Sequence, residues 1–113
     1  MDGLEYVFTD VVTLWQGSSR WYYISLPIEM SDEILTLSKH HQVKRRGWGA
    51  VKVQAEIVGT ASAQPLREPV TWQTSIFPAF KNGLYQLFLK ADVRKLSGIA
   101  VGDAVTVQLR LIF

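Results

Sequence analysis

The 113-residue chain contains no cysteine. That excludes disulfides, thiolate nucleophiles and cysteine-ligated metal centres, and it suits a reducing cytoplasm, where this reading places the protein. Metal-ligand spacing is missing as well. The two histidines, His40 and His41, are adjacent, and on a helix they diverge by about 100°, too far to close on one ion. No apolar run approaches the roughly 18 residues that a membrane helix needs. Met1-Asp2-Gly3-Leu4-Glu5 lacks the basic and then apolar order of a secretory signal. Ser75 has no Gly-x-Ser-x-Gly elbow around it, and Gly47-Trp48-Gly49 has the wrong spacing for a dinucleotide fingerprint. The expectation is a protein that is not an enzyme, carries no cofactor or metal, and stays off the membrane.

What is present describes an ordinary globular domain. Hydrophobic residues make up 48% of the chain and charged residues 19%, a balance that supports one packed core over residues 1–113. The net charge is only +2, but Lys39, Lys44, Arg45, Arg46 and Lys52 fall within one short span. Distribution matters more than total for binding anions.

The most informative feature is a repeat. Ala50-Val51-Lys52-Val53-Gln54 returns as Ala104-Val105-Thr106-Val107-Gln108, and Tyr22-Tyr23-Ile24-Ser25-Leu26 can be laid on Tyr85-Gln86-Leu87-Phe88-Leu89. Carried back without a gap, the second match puts Val7 on Val70 and Leu14 on Phe77. Each half then reads strand, strand, short helix, strand, over about 4–58 and 70–112. Gly59 to Pro69, with Pro65, Pro69, Arg67 and Glu68, is the linker.

Along the chain, Leu4 to Trp15 reads as a strand with Tyr6, Phe8, Val12 and Leu14 on one face. Gln16 to Arg20 is a turn, and Trp21 to Leu26 returns as a hairpin that Pro27 ends. Ser31 reads as the N-cap of a helix of two to three turns, with Met30, Ile34 and Leu37 at helical spacing and Lys39 closing it. The loop from His40 to Gly49 leads to the strand Ala50–Val58, in which Val51, Val53, Ala55 and Ile57 face inward. The second half repeats the plan with strands Val70–Phe77 and Leu84–Leu89, joined by a turn at Lys81-Asn82-Gly83. One to two helical turns follow over Ala91–Ser97, with Val93 and Leu96 inward and Gly98 as a left-handed cap. Gly102-Asp103 turns into the last strand, Ala104–Ile112. Met30 to Ala50 spans 20 positions against 11 from Val93 to Ala104, and the extra length is assigned to the basic loop. Six short strands without long crossover helices predict a mainly β, closed antiparallel barrel capped by two short helices.

Four local strings, in this order, resemble the family DUF1905: Gly47-Trp48-Gly49, Thr74-Ser75-Ile76-Phe77-Pro78, Lys90-Ala91-Asp92-Val93-Arg94 and Gly102-Asp103. The resemblance covers nearly the whole chain. It implies a small double-split β-barrel of the kind also seen in dimeric antitoxin and transition-state regulators, where two short chains supply the halves that duplication supplies here. It implies no reaction.

Two candidate sites emerge. Arg45 and Arg46, with Lys44 before them and Trp48 after, join phosphate-pairing charge to a stacking ring; the plain reading is a solvated loop with Trp48 folded over the barrel end. Lys90 and Arg94, four apart at a helix start, are placed to grip one carboxylate or phosphate; the plain reading is that Arg94 pairs with Asp92 or Asp103 and pins the helix. Most of Trp15, Trp21, Trp48 and Trp72 are expected in the core or as end plugs, and a residual cluster open to solvent would mark a pocket. The function expected is binding of a small anionic ligand or a protein partner by a monomer or weak dimer. Nucleic-acid binding, by analogy with the regulators, is the alternative.

Overall fold

Alternation of apolar and polar side chains builds most of this molecule. The computed structural model describes residues 5–15, 20–41, 49–60, 70–79 and 82–112. Their elements are β1 (Glu5–Val11), β2 (Thr13–Trp15), β3 (Trp21–Ser25), α1 (Ile28–His41), β4 (Val51–Thr60), β5 (Val70–Pro78), β6 (Tyr85–Phe88), α2 (Ala91–Ser97) and β7 (Ala104–Leu111). The fold is mainly β, with two helices and one curled antiparallel half-barrel sheet in the order β1-β7-β4-β5-β6-β3-β2. Its two outermost strands, β1 and β2, are consecutive in the chain, with Val12 alone between them.

The inward residues follow the period-two pattern. Val51, Val53, Ala55 and Ile57 on β4 and Val105, Val107, Leu109 and Leu111 on β7 are buried, along with Tyr6, Phe8, Ile24, Tyr85 and Leu87. Each fully buried Leu or Ile contributes roughly 1.5–3 kcal/mol, so this double row is the main source of stability. From α1, Ile34 and Ser38 join the core; from α2, Val93 and Ser97 are buried.

The strand expected over Leu4–Trp15 is two strands. β1 pairs with β7 over seven positions and β2 with β3 over three. At the switch, the Val12 N–H donates to the Asp103 carbonyl and the Val12 carbonyl accepts from Gly102 N–H, both at 2.9 Å. Asp10 Oδ2 accepts the Ser25 N–H at 2.7 Å across the gap. The chain changes neighbours there, which makes the described strands seven rather than six. On β5 a single residue, Ile76, pairs with both Val51 of β4 and Leu87 of β6.

This difference corrects the gapless alignment. In β4 and β7 the matched repeat is in register: Ala55 faces Leu109, while Gln54 faces Arg110 and Glu56 faces Gln108. Likewise Ile24 faces Leu87, with Tyr23 on Phe88 and Ser25 on Gln86. But Val7 faces Gln108 and Gln73 faces Gln54, so the counterpart of Val7 is Gln73 and not Val70. Leu14 faces Tyr22 as Pro78 faces Tyr85, so Leu14 matches Pro78 and not Phe77. The first half spends two more residues at its switch, and an alignment without gaps slips.

Three further expectations change. Ser31 is not an N-cap: α1 starts at Ile28, and the Ser31 N–H already donates to the Pro27 carbonyl at 2.9 Å. Pro27 tolerates that position because no helical N–H is needed from it. The helix is 14 residues long, about four turns. It exceeds the 7-residue α2 by seven residues, so most of the extra length of the first half is helix and not loop. Leu96 is 73% exposed instead of inward, because Val93 and Ser97, four apart, form the buried side of this short helix. Gly98 caps α2 as expected, at φ 68°, and donates its N–H to the Arg94 carbonyl at 2.8 Å. Of the linker, Gly59 and Thr60 extend β4 and residues 61–69 lie outside the described set, as do residues 16–19 and Lys81 of the two turns.

Candidate functional site

A cleft of about 430 Å³ opens where α2 meets β3, β5 and β6. β3 contributes Trp21 and Tyr22, with Arg20 just before it. β5 contributes Thr74 and Phe77, and β6 leads in through Phe88, Leu89 and Lys90. Ala91 and Arg94 come from α2. Among the described residues three cations and no carboxylate line it, and the rest of that wall is largely apolar and aromatic.

Arg94 is held in place. Its guanidinium carbon lies 3.7 Å from the centroid of the Tyr22 ring, a cation–π contact. Its Nε donates to the Leu89 carbonyl at 3.2 Å. The Leu89 N–H in turn donates to the Tyr22 carbonyl at 2.7 Å, so ring, carbonyl and guanidinium form one short-range unit. A guanidinium has five N–H donors, and the four on its Nη atoms make no hydrogen bond among the described residues. Lys90, the N-cap of α2, is exposed and lines the same cleft.

The ion pair expected from the plain reading is not formed. Asp92 Oδ1 accepts its neighbour Val93 N–H at 2.9 Å, and Asp103 Oδ2 accepts Ala100 N–H at 2.9 Å as a turn residue. Arg94 does help to fix α2, through Tyr22 and Leu89. The structure thus brings Lys90 and Arg94 together. Arg45, Arg46 and Trp48, with Lys44, lie outside the described residues.

Sequence reasoning named a solvent-open aromatic cluster as the mark of a pocket but assigned no residues to it. Trp15 is 43%, Trp21 50% and Phe77 36% exposed, which overturns the expectation that Trp15 and Trp21 are buried. Trp72 is half-buried against the core. Trp15 meets Trp21 at 6.4 Å between centroids, Trp21 meets Phe88 at 5.1 Å, and Phe88 meets Phe77 at 6.1 Å and Tyr23 at 6.0 Å. All four contacts are edge-on or tilted, between 57° and 83°. The signal existed in the alternation. Tyr6, Phe8 and Val12 on the first stretch and Ile24 and Leu26 on the second are buried at even positions, and the same alternation leaves Trp15 and Trp21, at odd positions, on the outer face.

Arg20 was also missed as a third cation, since a turn cluster carries no periodicity. Among the described residues, no group of three His, Asp or Glu side chains is placed to hold a metal ion, and no helix is long and apolar enough to cross a membrane. The side chains of His40 and His41 lie outside the described set.

The model of one family, described as "Domain of unknown function (DUF1905)", matches residues 8–109. No curated protein matches the chain.

Proposed function

The chain belongs to the DUF1905 family, and from the geometry of its cleft we propose that this member is a non-enzymatic binding module for a small anionic ligand, acting in the cytoplasm. One observation carries the reading: Arg94 is fixed by Tyr22 and Leu89 in a cleft to which Lys90 and Arg20 add charge, and among the described residues its Nη edge is unused and no carboxylate lines the cleft. An arginine fixed before binding loses less freedom when an anion arrives. Among the described residues the cleft offers no carboxylate, imidazole or thiol to act as general acid or base near neutral pH, which supports binding over catalysis. Calorimetric titration with inorganic pyrophosphate at fixed ionic strength tests it. Binding should be lost in the Lys90→Ala/Arg94→Ala double variant, and unchanged binding there would remove the cleft from consideration.

A second reading, nucleic-acid binding, draws on the exposed Trp15, Trp21 and Phe77, joined through half-buried Phe88, beside those cations, the combination used by single-strand binders. Three phosphate contacts would give a log–log salt slope of about −2 on a single strand. Oligonucleotide affinity that does not respond to salt would count against this reading.

The barrel reading rests on strand pairing. If β1 and β2 are counted as one strand, the sheet order returns to its start as six strands, and exchanging β1/β2 with β5, β3 with β6 and β4 with β7 maps the pairings onto themselves. That supports a double-split barrel built from one duplicated unit.

A further inference from the structure

The cleft is larger than an anion alone requires, and its unused surface is aromatic. A volume of about 430 Å³ holds some fourteen waters at roughly 30 Å³ each, and it falls within the range of organic-ligand sites. Trp21, half exposed, and Phe88 both line it and meet edge to face at 83°, 5.1 Å apart. In that arrangement the edge of one ring contacts the face of the other, and Trp21 keeps indole surface open to solvent. Arg94 lines the same cleft; Tyr22 takes one guanidinium face and Leu89 the Nε proton, and the Nη edge makes no hydrogen bond among the described residues. Planar ring surface and a bidentate donor fork lining one cleft suit the two parts of one ligand.

We propose that the cleft takes a nucleotide unit, a nucleobase stacked on the Trp21–Phe88 pair with its phosphate on the Arg94 fork and Lys90. This rests on the anion-binding reading and specifies its ligand class. The fork suits two phosphate oxygens at once. Stacking on an aromatic side chain tolerates any base, because every base has a π face, so AMP and UMP bind with affinities of the same order. The nucleotide unit has two sources, a free mononucleotide or the 5′-phosphorylated end of a single strand, and both present the same chemistry.

Isothermal titration at constant ionic strength with AMP, adenosine and inorganic phosphate tests the proposal. AMP should bind at least about ten-fold more tightly than either fragment, the scale of one stacked base. In Arg94→Ala, AMP falls to the level of adenosine; in Trp21→Ala it falls to the level of phosphate. Phe88→Leu, which keeps an apolar side chain of similar bulk, provides a second ring variant, and thermal melts confirm that each variant folds. If phosphate binds and AMP binds no better, the nucleotide proposal is overturned while the anion reading stands. If neither binds, both fall. A 5′-phosphorylated tetra-adenylate binding ten-fold more tightly than AMP, with its 5′-hydroxyl form no better than adenosine, assigns the site to strand ends; equal affinity assigns it to the free nucleotide. Concentration-dependent dimerisation by sedimentation that AMP does not reverse and Trp21→Ala abolishes would mean that a second copy covers the rings, and would overturn the proposal.

Discussion

The two ends of the molecule share a backbone and differ in what they do with it. At one end the Leu89 N–H donates to the Tyr22 carbonyl and the Arg94 N–H to the Lys90 carbonyl; at the other the Leu26 N–H donates to the Tyr85 carbonyl and the Ser31 N–H to the Pro27 carbonyl. These reciprocal bonds make Pro27 and Ser31 the counterparts of Lys90 and Arg94, and Tyr85 the counterpart of Tyr22. Ser31 is buried, and its Oγ accepts the Tyr85 N–H at 3.0 Å. Four turns of α1 start there and Tyr85 is buried. At the cleft end the helix is half as long, Tyr22 is half-buried, and a guanidinium lies over it. One end uses a hydroxyl to seal, the other a cation to stay open. The sheet between them accommodates both, because these differences lie in side chains at the two ends and in helix length.

The helices are fastened differently too. Tyr6 OH donates to Glu33 Oε1 at 3.0 Å, latching α1 onto β1. Tyr6 faces Leu109 as Trp72 faces Ala55, so Trp72 is its counterpart. The residue matching Glu33 is Leu96, which is exposed, and Trp72 Nε1 is buried with no hydrogen-bond partner among the described residues. The latch of the first half has no equivalent in the second.

The largest expected effects test the shared part. Ile24 and Leu87 face each other between the halves and are fully buried, so Ile24→Ala and Leu87→Ala should each cost about 2–5 kcal/mol in urea unfolding. Costs differing several-fold would show that the core is not evenly shared. Next come the matched end residues. Ser31→Ala leaves a buried N–H without its acceptor and should cost about 1–3 kcal/mol with anion binding intact. Arg94→Ala should cost about 1 kcal/mol and abolish that binding. If the two variants showed the same pattern, the contrast between sealed and open ends would collapse.

The latch sets a pH dependence. Burial, then the hydrogen bond to Glu33 and its charge, push the Tyr6 phenol up from 10.0 to about 12. A group whose folded pKa is raised stabilises the fold fully below its unfolded value and loses that contribution as pH climbs from about 10 towards 12. Absorbance titration should show a late-ionising component that is lost in Tyr6→Phe, and amide exchange should speed up at the α1 end first. Exchange rising equally at α2 would contradict a latch on one side only. The smallest effect is constructive: Leu96→Glu should gain about 0.5–1.5 kcal/mol by offering Trp72 Nε1 an acceptor. A double-mutant cycle with Trp72→Phe reads the coupling directly, and zero coupling would mean the geometry does not reach.

Much of this was legible in the residues because it follows from periodicity. Val51, Val53, Ala55 and Ile57 announce their face, and the matched strings around Val53 and Val107 belong to strands that pair with each other. Gly98 and Gly102 mark their turns, with positive φ of 68° and 94°. What stayed hidden depends on neighbours. Val12 ends a strand only because its bonding partners lie in the Gly102-Asp103 turn, and Ser31 looks like a cap until Tyr85 is seen to claim its hydroxyl. Lys90 and Arg94 were visible as a pair, but the aromatic wall needed β2, β3, β5 and β6 to be placed side by side. Trp15 and Trp21 are apolar residues on an outward parity, and composition favoured the core for them against their own alternation.

The pairing of β1 with β7 carries a consequence for the chain's connectivity. Glu5 stands opposite Arg110, so the two ends of the described fold meet on adjacent strands. A linker of a few residues would join them. The chain opened between residues 60 and 70 would then run β5, β6, α2, β7, β1, β2, β3, α1, β4, with the two halves in reversed order and every strand pairing retained. Such a circular permutant should fold to the same sheet and keep its cleft, because β3, β5, β6 and α2 keep their neighbours whichever half is synthesised first.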